Sequence, residues 1–411
     1  MRRLLALLAA ALPCAGAAPA HAQTLDGVLR PFYAQQYDTA LVALQPMLAA
    51  RPDDPDLLAW KGEVLFRLGD EEGALEAADQ ALERRECHSQ AHDLIARIHT
   101  AGYTEDASAR DTAWIHARRA VECDPADGNA WLSYWISGTL RQDSAAERLA
   151  ARRVVELGFI PGPVMEMGRW ILRSAPRDAV LLLNGDWDYF PVVAVQQAEG
   201  LRPDVTVGLV GFLEFPWYVR QMAARAGYPV PPEALRGTDW VPAEEDYGRL
   251  GSIAGTLWAR GTLDGSLRPL TLAGTTETDA VKDAAWPRWD GPVYTLRPWD
   301  EATDDEPYTW MPGGDFAARM ADVDIARLAG PVTHPADRSP VRRHATAPAE
   351  FVLSSVVNYG AGHARLGHAD EARRAVTWAR ALMATGAVGP QGRDAYDALL
   401  QVIRDELGVS P

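Results

Sequence analysis

Asn184-Gly185-Asp186-Trp187-Asp188 is the densest group of chemistry-bearing residues in the chain. Two carboxylates beside an amide can hold a polar ligand or a divalent cation, because hard cations prefer oxygen donors. A carboxylate pair about 5 to 10 Å apart across a cleft can also hydrolyse a glycosidic bond. The same residues have a plainer use. An aspartate at a helix start accepts orphan backbone N–H groups, and Pro191 suits a first helical turn. Capping accounts for one aspartate and leaves the other free. Gly185 is expected to let the backbone turn. The group follows Val180–Leu183, a short apolar run that reads as a buried strand, so it is predicted at a strand's C-terminal end, where open α/β sheets bind ligands. Glu214 after a second strand, and Thr275 and Thr276 after a third, converge on that edge if the sheet is parallel. The candidate ligand set is Asn184, Gly185, Asp186, Asp188, Glu214, Thr275 and Thr276. No catalytic residue, metal or cofactor is assigned.

No other motif completes a reaction. H-E-x-x-H, G-x-S-x-G, the phosphate-cradling G-x-x-x-x-G-K-S/T and a G-x-G-x-x-G in the right context are all absent from the sequence. His88, His92 and His99 fall on one helix, but no cysteine or carboxylate completes a tetrahedral zinc site, so structural histidines are expected. Of the 14 tryptophans, Trp286, Trp289, Trp299 and Trp310 crowd one loop-rich stretch. Their flat faces suit sugar rings, although packing loops onto a sheet is the favoured role.

Several kinds of element must position the acidic turn. Ala40, Leu41, Leu44, Met47 and Leu48 recur 34 residues later as Ala74, Leu75, Ala78, Ala81 and Leu82, the tetratricopeptide period. Gly62 and Leu65 supply packing positions of a first helix, and Gly69-Asp70 the turn. A third unit carries extra residues around Tyr103 to Ser108, and a fourth starts near Trp131 and Tyr134. Such pairs stack into a short solenoid whose concave face either grips a protein partner or caps the adjoining domain. From about Pro161 the period changes. Val180–Leu183, Val205–Val210, Leu270–Leu272 and Val293–Leu296 read as strands alternating with helices, which predicts a mainly parallel, Rossmann-like sheet. Pro-rich stretches at Tyr228–Glu245 and Arg297–Gly314 read as surface loops. Tyr359-Gly360, His363, Gly367, Ala372, Val376 and Ala379 then take tetratricopeptide positions again, with a last helix from about Asp394 to Leu407. The expected fold class is α/β plus all-α. Its segments are a signal at 1–22, repeats at 23–160, an α/β domain at 161–330, a linker at 331–348 and helices at 349–411.

Arg2 and Arg3, the apolar run Leu4–Leu12 and Ala20-His21-Ala22 form a secretory signal expected to be cut after Ala22. That run is too short to span a bilayer, and no later stretch is long enough. The expected location is periplasmic or secreted, where Cys87 and Cys123 are permitted to pair as a disulfide. A formal net charge of −16 repels phosphate backbones and anionic lipid, which argues against nucleic-acid partners.

The runs N-G-D-W-D-Y-F-P, Q-Q-A-E-G-L-R-P-D-V-T-V and W-Y-V-R-Q-M occur in that order. Together they resemble the soluble C-terminal region of bacterial polytopic, glycosyltransferase-like membrane proteins, an uncharacterised family. Arg268–Ala273 and Gly291–Leu296 look like that region's later strands. Trp187 and Tyr189 depart from the family's small polar residue and threonine, and the polar residues common before Trp217 are missing. The membrane helices of such relatives are missing too, so transfer activity does not carry over. The resemblance implies an extracytoplasmic module for recognition or assembly. The combined expectation is a non-catalytic binding or scaffold protein: repeats engage a protein partner, and the α/β domain recognises a polar ligand such as a glycan. Its rivals are a carbohydrate-active enzyme using Asp186 and Asp188, and a purely structural envelope protein.

Overall fold

Helices dominate because the apolar residues recur at helical spacing and the helix starts are chemically marked. Asp54, Asp70, Asp106, Asp127 and Asp143 each precede a helix, and each side chain accepts one or two backbone N–H groups of the first turn. Such caps contribute about 1 kcal/mol apiece, a local use for part of the chain's acidic excess. The computed structural model describes residues 24–100, 106–236, 248–301, 315–328 and 347–408. The signal at 1–22, most of the extra turn near Tyr103, the linker up to Thr346, Trp310 and parts of both Pro-rich loops lie outside the described residues. The chain divides into two compact units, 1–98 and 99–411.

The first unit contains α1 (Asp26–Tyr33), α2 (Tyr37–Ala50), α3 (Pro55–Arg67), α4 (Glu71–Arg84) and most of α5 (Ser89–Thr100). Ala40, Leu44 and Met47 on α2 are buried, as are their counterparts Ala74, Ala78 and Ala81 on α4. These are the core positions of the 34-residue period. Gly62 lets α3 cross its neighbours closely: a Cβ there would sit 2.7 Å from Leu94 Cδ2 and 3.0 Å from the Ala74 carbonyl oxygen. The buried carboxylates of Glu63 and Asp93 are both paired with Arg97, whose guanidinium also lies 5.4 Å from the Phe66 ring. Desolvation of Arg97 is thus offset by two charges of opposite sign.

In the second unit, α6 (Ala107–Cys123), α7 (Gly128–Leu140), α8 (Ser144–Glu156) and α9 (Gly162–Ser174) lead into β1 (Val180–Leu183). There follow α10 (Asp186–Glu199), β2 (Thr206–Leu209), a 3-10 turn at Val210–Glu214, α11 (Pro216–Ala226), α12 (Arg249–Leu263), β3 (Leu270–Ala273), β4 (Trp286–Trp289) and β5 (Val293–Arg297). The sheet order is β2-β1-β3-β5-β4. β1 runs parallel to β2 and β3, while β5 is antiparallel to both β3 and β4. The sheet is therefore mixed rather than mainly parallel. The run Trp286-Pro-Arg-Trp289, expected in a loop, is an edge strand; an edge tolerates Pro287 because its missing N–H breaks no ladder to a further strand.

β1 is wholly buried, and its alternate residues face opposite ways. Leu181 and Leu183 pack with Phe190, Val192 and Val195 of α10, with Val164 and Ile171 of α9, and with Trp135 and Val154 of α7 and α8. Val180 and Leu182 pack with Leu270 and Leu272 of β3, Met222 of α11 and Trp258 of α12. One face of the sheet thus shares a continuous core with the preceding helices.

Two short helices, α13 (Phe316–Ala321) and α14 (Ile325–Leu328), precede three longer ones: α15 (Ala347–Arg365), α16 (Ala369–Ala384) and α17 (Pro390–Leu407). Tyr359, Ala372, Val376 and Ala379 are buried between them in one cluster with Trp170 of α9.

Candidate functional site

The acidic turn sits where the sequence places it, at the C-terminal end of β1, but its two carboxylates have different occupations. Asp188 is fully buried. Its carboxylate accepts the backbone N–H of Asn184 at 2.9 Å and of Gly185 at 2.8 Å, and the Thr275 hydroxyl at 2.5 Å. Asp188 is the third residue of α10, reaching back to the N-cap residue Gly185 in half of a capping box. It caps from inside the helix rather than from the preceding position. Pro191 lies in the second turn of α10, not the first. Gly185 has φ −170°, extended backbone open to any residue, so the turn does not depend on glycine. Burial pushes the Asp188 carboxyl up, opposed by its hydrogen bonds to Thr275, Asn184, Gly185 and Tyr189.

Asp186, the first residue of α10, stays exposed to solvent, and its carboxylate has no hydrogen-bond partner among the described residues. Surrounding protein, and to a lesser degree the charge of Asp188, push its carboxyl above the ordinary range. It borders a depression with Thr139, Tyr189, Phe190, Leu209 and Phe212, of about 30 Å³. That space holds a water molecule or two, since one water needs roughly 10 to 15 Å³. Asn184 is exposed.

The remaining predicted residues are tied to the frame. Thr276 donates to the Leu182 carbonyl at 3.4 Å, so the two threonines tie the β3 end to β1 and to the start of α10. Glu214 is buried and accepts the Gly248 N–H at 2.7 Å, with Gly251 as a second backbone donor, at the start of α12. Burial nonetheless pushes its carboxyl up. Gly251 is required by this approach, because a Cβ there would lie 2.4 Å from Glu214 Oε1. Asp188 and Thr275 are brought into direct contact; Glu214 serves a separate helix. Cys87 and Cys123 are each disulfide-bonded. His88 Nε2 lies 3.2 Å from Asp56 Oδ1, and His92 Nε2 lies 3.0 Å from the Glu86 carbonyl oxygen. Among the described residues no three His, Cys, Asp or Glu side chains could share a metal ion.

A larger concavity escaped the sequence reading. Glu147 and Arg148 of α8, Tyr189 and Gln197 of α10, and Gln221 and Arg225 of α11 line a cleft of about 170 Å³. Tyr189 also borders the Asp186 depression. Burial pushes the Glu147 carboxyl up, against the pull of the Thr139 hydroxyl and of Arg225. Burial also raises the Tyr189 hydroxyl well above its ordinary range, with Tyr218 and Glu147 adding to it. The sequence signal was faint: polar residues on three helices, of which Tyr189 alone adjoins the acidic turn in the chain.

The run E-G-L-R-P-D-V is structural. Arg202 pairs with Asp204 at 2.8 Å and donates to the carbonyls of Ala175 at 2.7 Å and Pro176 at 2.8 Å, while Asp204 accepts the Asp178 N–H at 2.9 Å. Arg202 holds the Asp204 carboxyl well below the usual carboxylate range.

Comparison with known proteins fits this division. Residues 32–98 match the tetratricopeptide repeat model, and residues 164–247 match TMEM260-associated domain 2. The helix pairs within residues 32–98 are therefore tetratricopeptide repeats. A mouse (Mus musculus) protein, Protein O-mannosyl-transferase TMEM260, is 33% identical over 79 residues, 19% of this chain and 11% of that protein. The chain thus matches about a tenth of that relative's length. Among solved structures, a thermophilic tetratricopeptide protein of Thermus thermophilus, TTC0263, aligns at 18% identity, with TM-score 0.32, over 44% of this chain and 92% of its own. The tetratricopeptide domain of P58(IPK) aligns at 11% identity, with TM-score 0.21, over 93% of this chain and 97% of its own. Among the described residues no helix is long and apolar enough to cross a membrane.

Proposed function

We propose that this chain is an exported, non-catalytic scaffold whose tetratricopeptide repeats engage a protein partner and whose α/β domain recognises a polar ligand in envelope glycan assembly. The repeat match over residues 32–98 carries the reading. Stacked helix pairs present an extended concave surface, lined by the first helix of each pair, that suits a peptide segment. The occupation of both Asp188 oxygens supports the non-catalytic part, because a carboxylate bound to two backbone amides and a hydroxyl is poorly placed to act as base or nucleophile. The β2-β1-β3 portion, parallel and covered by helices on both faces, is the Rossmann-like element of this reading. Carbohydrate enters through the resemblance of the central runs and the name of the mouse relative. Periplasmic or secreted localisation, with cleavage after Ala22, rests on the N-terminal pattern.

A photo-crosslinking residue at Lys61 on α3 tests the partner, with Glu76 on α4 as the control face. The reading expects one protein captured in the envelope from Lys61 and not from Glu76. Capture from neither position, or equally from both, defeats it. N-terminal sequencing of the exported chain should begin at Gln23.

A further inference from the structure

The cleft between α8, α10 and α11 gathers cationic and amide side chains around one space. Arg148 and Arg225 line it, and neither makes an ion pair or hydrogen bond among the described residues. Most other arginines of the second unit's repeats and sheet are engaged, among them Arg141, Arg153, Arg169 and Arg202. Two guanidinium groups against the single carboxylate of Glu147 leave the cleft's ionisable lining net positive, in a chain of formal net charge −16. Paired guanidinium forks match the oxygens of a carboxylate or phosphate.

The rest of the lining suits hydroxyl groups. The amides of Gln197 and Gln221 and the Tyr189 hydroxyl can each donate and accept, and none has a partner among the described residues. Gln196, beside them, is committed instead: its Nε2 donates to the Arg202 and Val205 carbonyls at 2.9 and 2.8 Å, which fixes this end of α10 to the start of β2. The cleft is therefore built on an anchored helix. Its size suits a small ligand. A cavity of about 150 Å³ accepts a six-membered ring, and this one measures about 170 Å³. The cleft therefore has room for one such ring.

We propose that this cleft binds a single hydroxylated six-membered ring bearing one carboxylate or phosphate, the anion on Arg148 and Arg225 and the hydroxyls on Gln197, Gln221 and Glu147. The assignment rests on reading the α/β domain as a ligand-recognising module and names the ligand's class.

Calorimetric titration of the full exported chain with glucuronate, glucose 6-phosphate, glucose and inorganic phosphate tests it. One of the two acidic sugars should bind at least about tenfold more tightly than glucose and than phosphate, and which one does so identifies the anion as carboxylate or phosphate. Arg148→Gln and Arg225→Gln, both at exposed positions, should each weaken that binding about tenfold or more while leaving the circular dichroism spectrum unchanged. Equal binding of glucose overturns the anionic class but leaves a polar-ligand domain standing. Equal binding of phosphate reduces the site to an anion site and overturns the ring. Unchanged affinity in both arginine variants places the ligand elsewhere and overturns the assignment. Binding of none of the four probes overturns it as well, and the Lys61 crosslinking result is independent of all these outcomes.

Discussion

Replacing Asp188 by asparagine separates a structural carboxylate from a ligand-binding one. In the native turn the carboxylate takes hydrogen bonds from Asn184 N, Gly185 N and Thr275 Oγ1, among others, at a fully buried position. Asparagine keeps one acceptor oxygen and puts an amide NH₂ where the other stood, so it faces donors with a donor. At least one backbone N–H then loses its partner, at roughly 1 to 3 kcal/mol, and the remaining bonds lose their charge assistance. Relief from desolvating a carboxylate offsets part of this. The net loss should be about 2 kcal/mol, a factor of about thirty in local opening. Because the chain contains two compact units, global unfolding is not expected to be a single transition. The appropriate assay is amide hydrogen exchange of Leu181–Gly185, whose protection should fall about thirtyfold in Asp188→Asn and stay within about twofold in Asp186→Asn. If Asp188→Asn leaves that protection intact while abolishing binding of an acidic sugar, the structural assignment of this carboxylate is refuted.

Four further outcomes follow from the same geometry. The Asp186 carboxyl is raised in the folded chain by its surroundings and by Asp188, so its ionisation opposes folding; Asp186→Asn should raise the melting temperature slightly at neutral pH, with the gain vanishing below the ordinary carboxylate range. His363, whose Nδ1 lies 2.9 Å from His368 Nδ1, is held below its ordinary value by burial and then by His368. Its contribution is complete above about pH 6.5 and is lost as pH falls through the depressed value, so thermal melts at pH 7.5 and 5.5 should differ less in His368→Asn than in the native chain. Gly255→Ala places a Cβ 2.1 Å from the Ala280 carbonyl oxygen, and overpacking should exceed the gain in helix propensity by at least about 1 kcal/mol, read from the urea transition of the unit that carries the change. Thiol titration of the unreduced chain should find neither Cys87 nor Cys123 reactive, and Cys87→Ser should cost about 2 to 4 kcal/mol by the same denaturation measurement.

Elements with strong local periodicity were legible in the residues alone. Val180–Leu183 reads as a strand because four apolar residues are bounded by charge and glycine, and the structure shows β1 over those residues. The 34-residue recurrence placed the buried faces of α2 and α4. β4 was hidden because Pro287 and two tryptophans read as loop packing, and only its pairing with β5 makes it a strand. The division of labour between Asp186 and Asp188 was equally hidden. Local capping at Asn184 and Gly185 is completed by Thr275, 87 residues further along the chain, and spacing within the turn carries no trace of that last contact. The cleft was illegible for a related reason: its arginines and glutamines are ordinary surface residues of three helices until packing aims them at a common space.

Arg202 has a wider lesson in its position. It joins the end of α9, the approach to β1 and the approach to β2, at the margin of the sheet opposite the acidic turn. The R-P-D run is thus a rivet, spent on holding strands in register rather than on touching any small molecule.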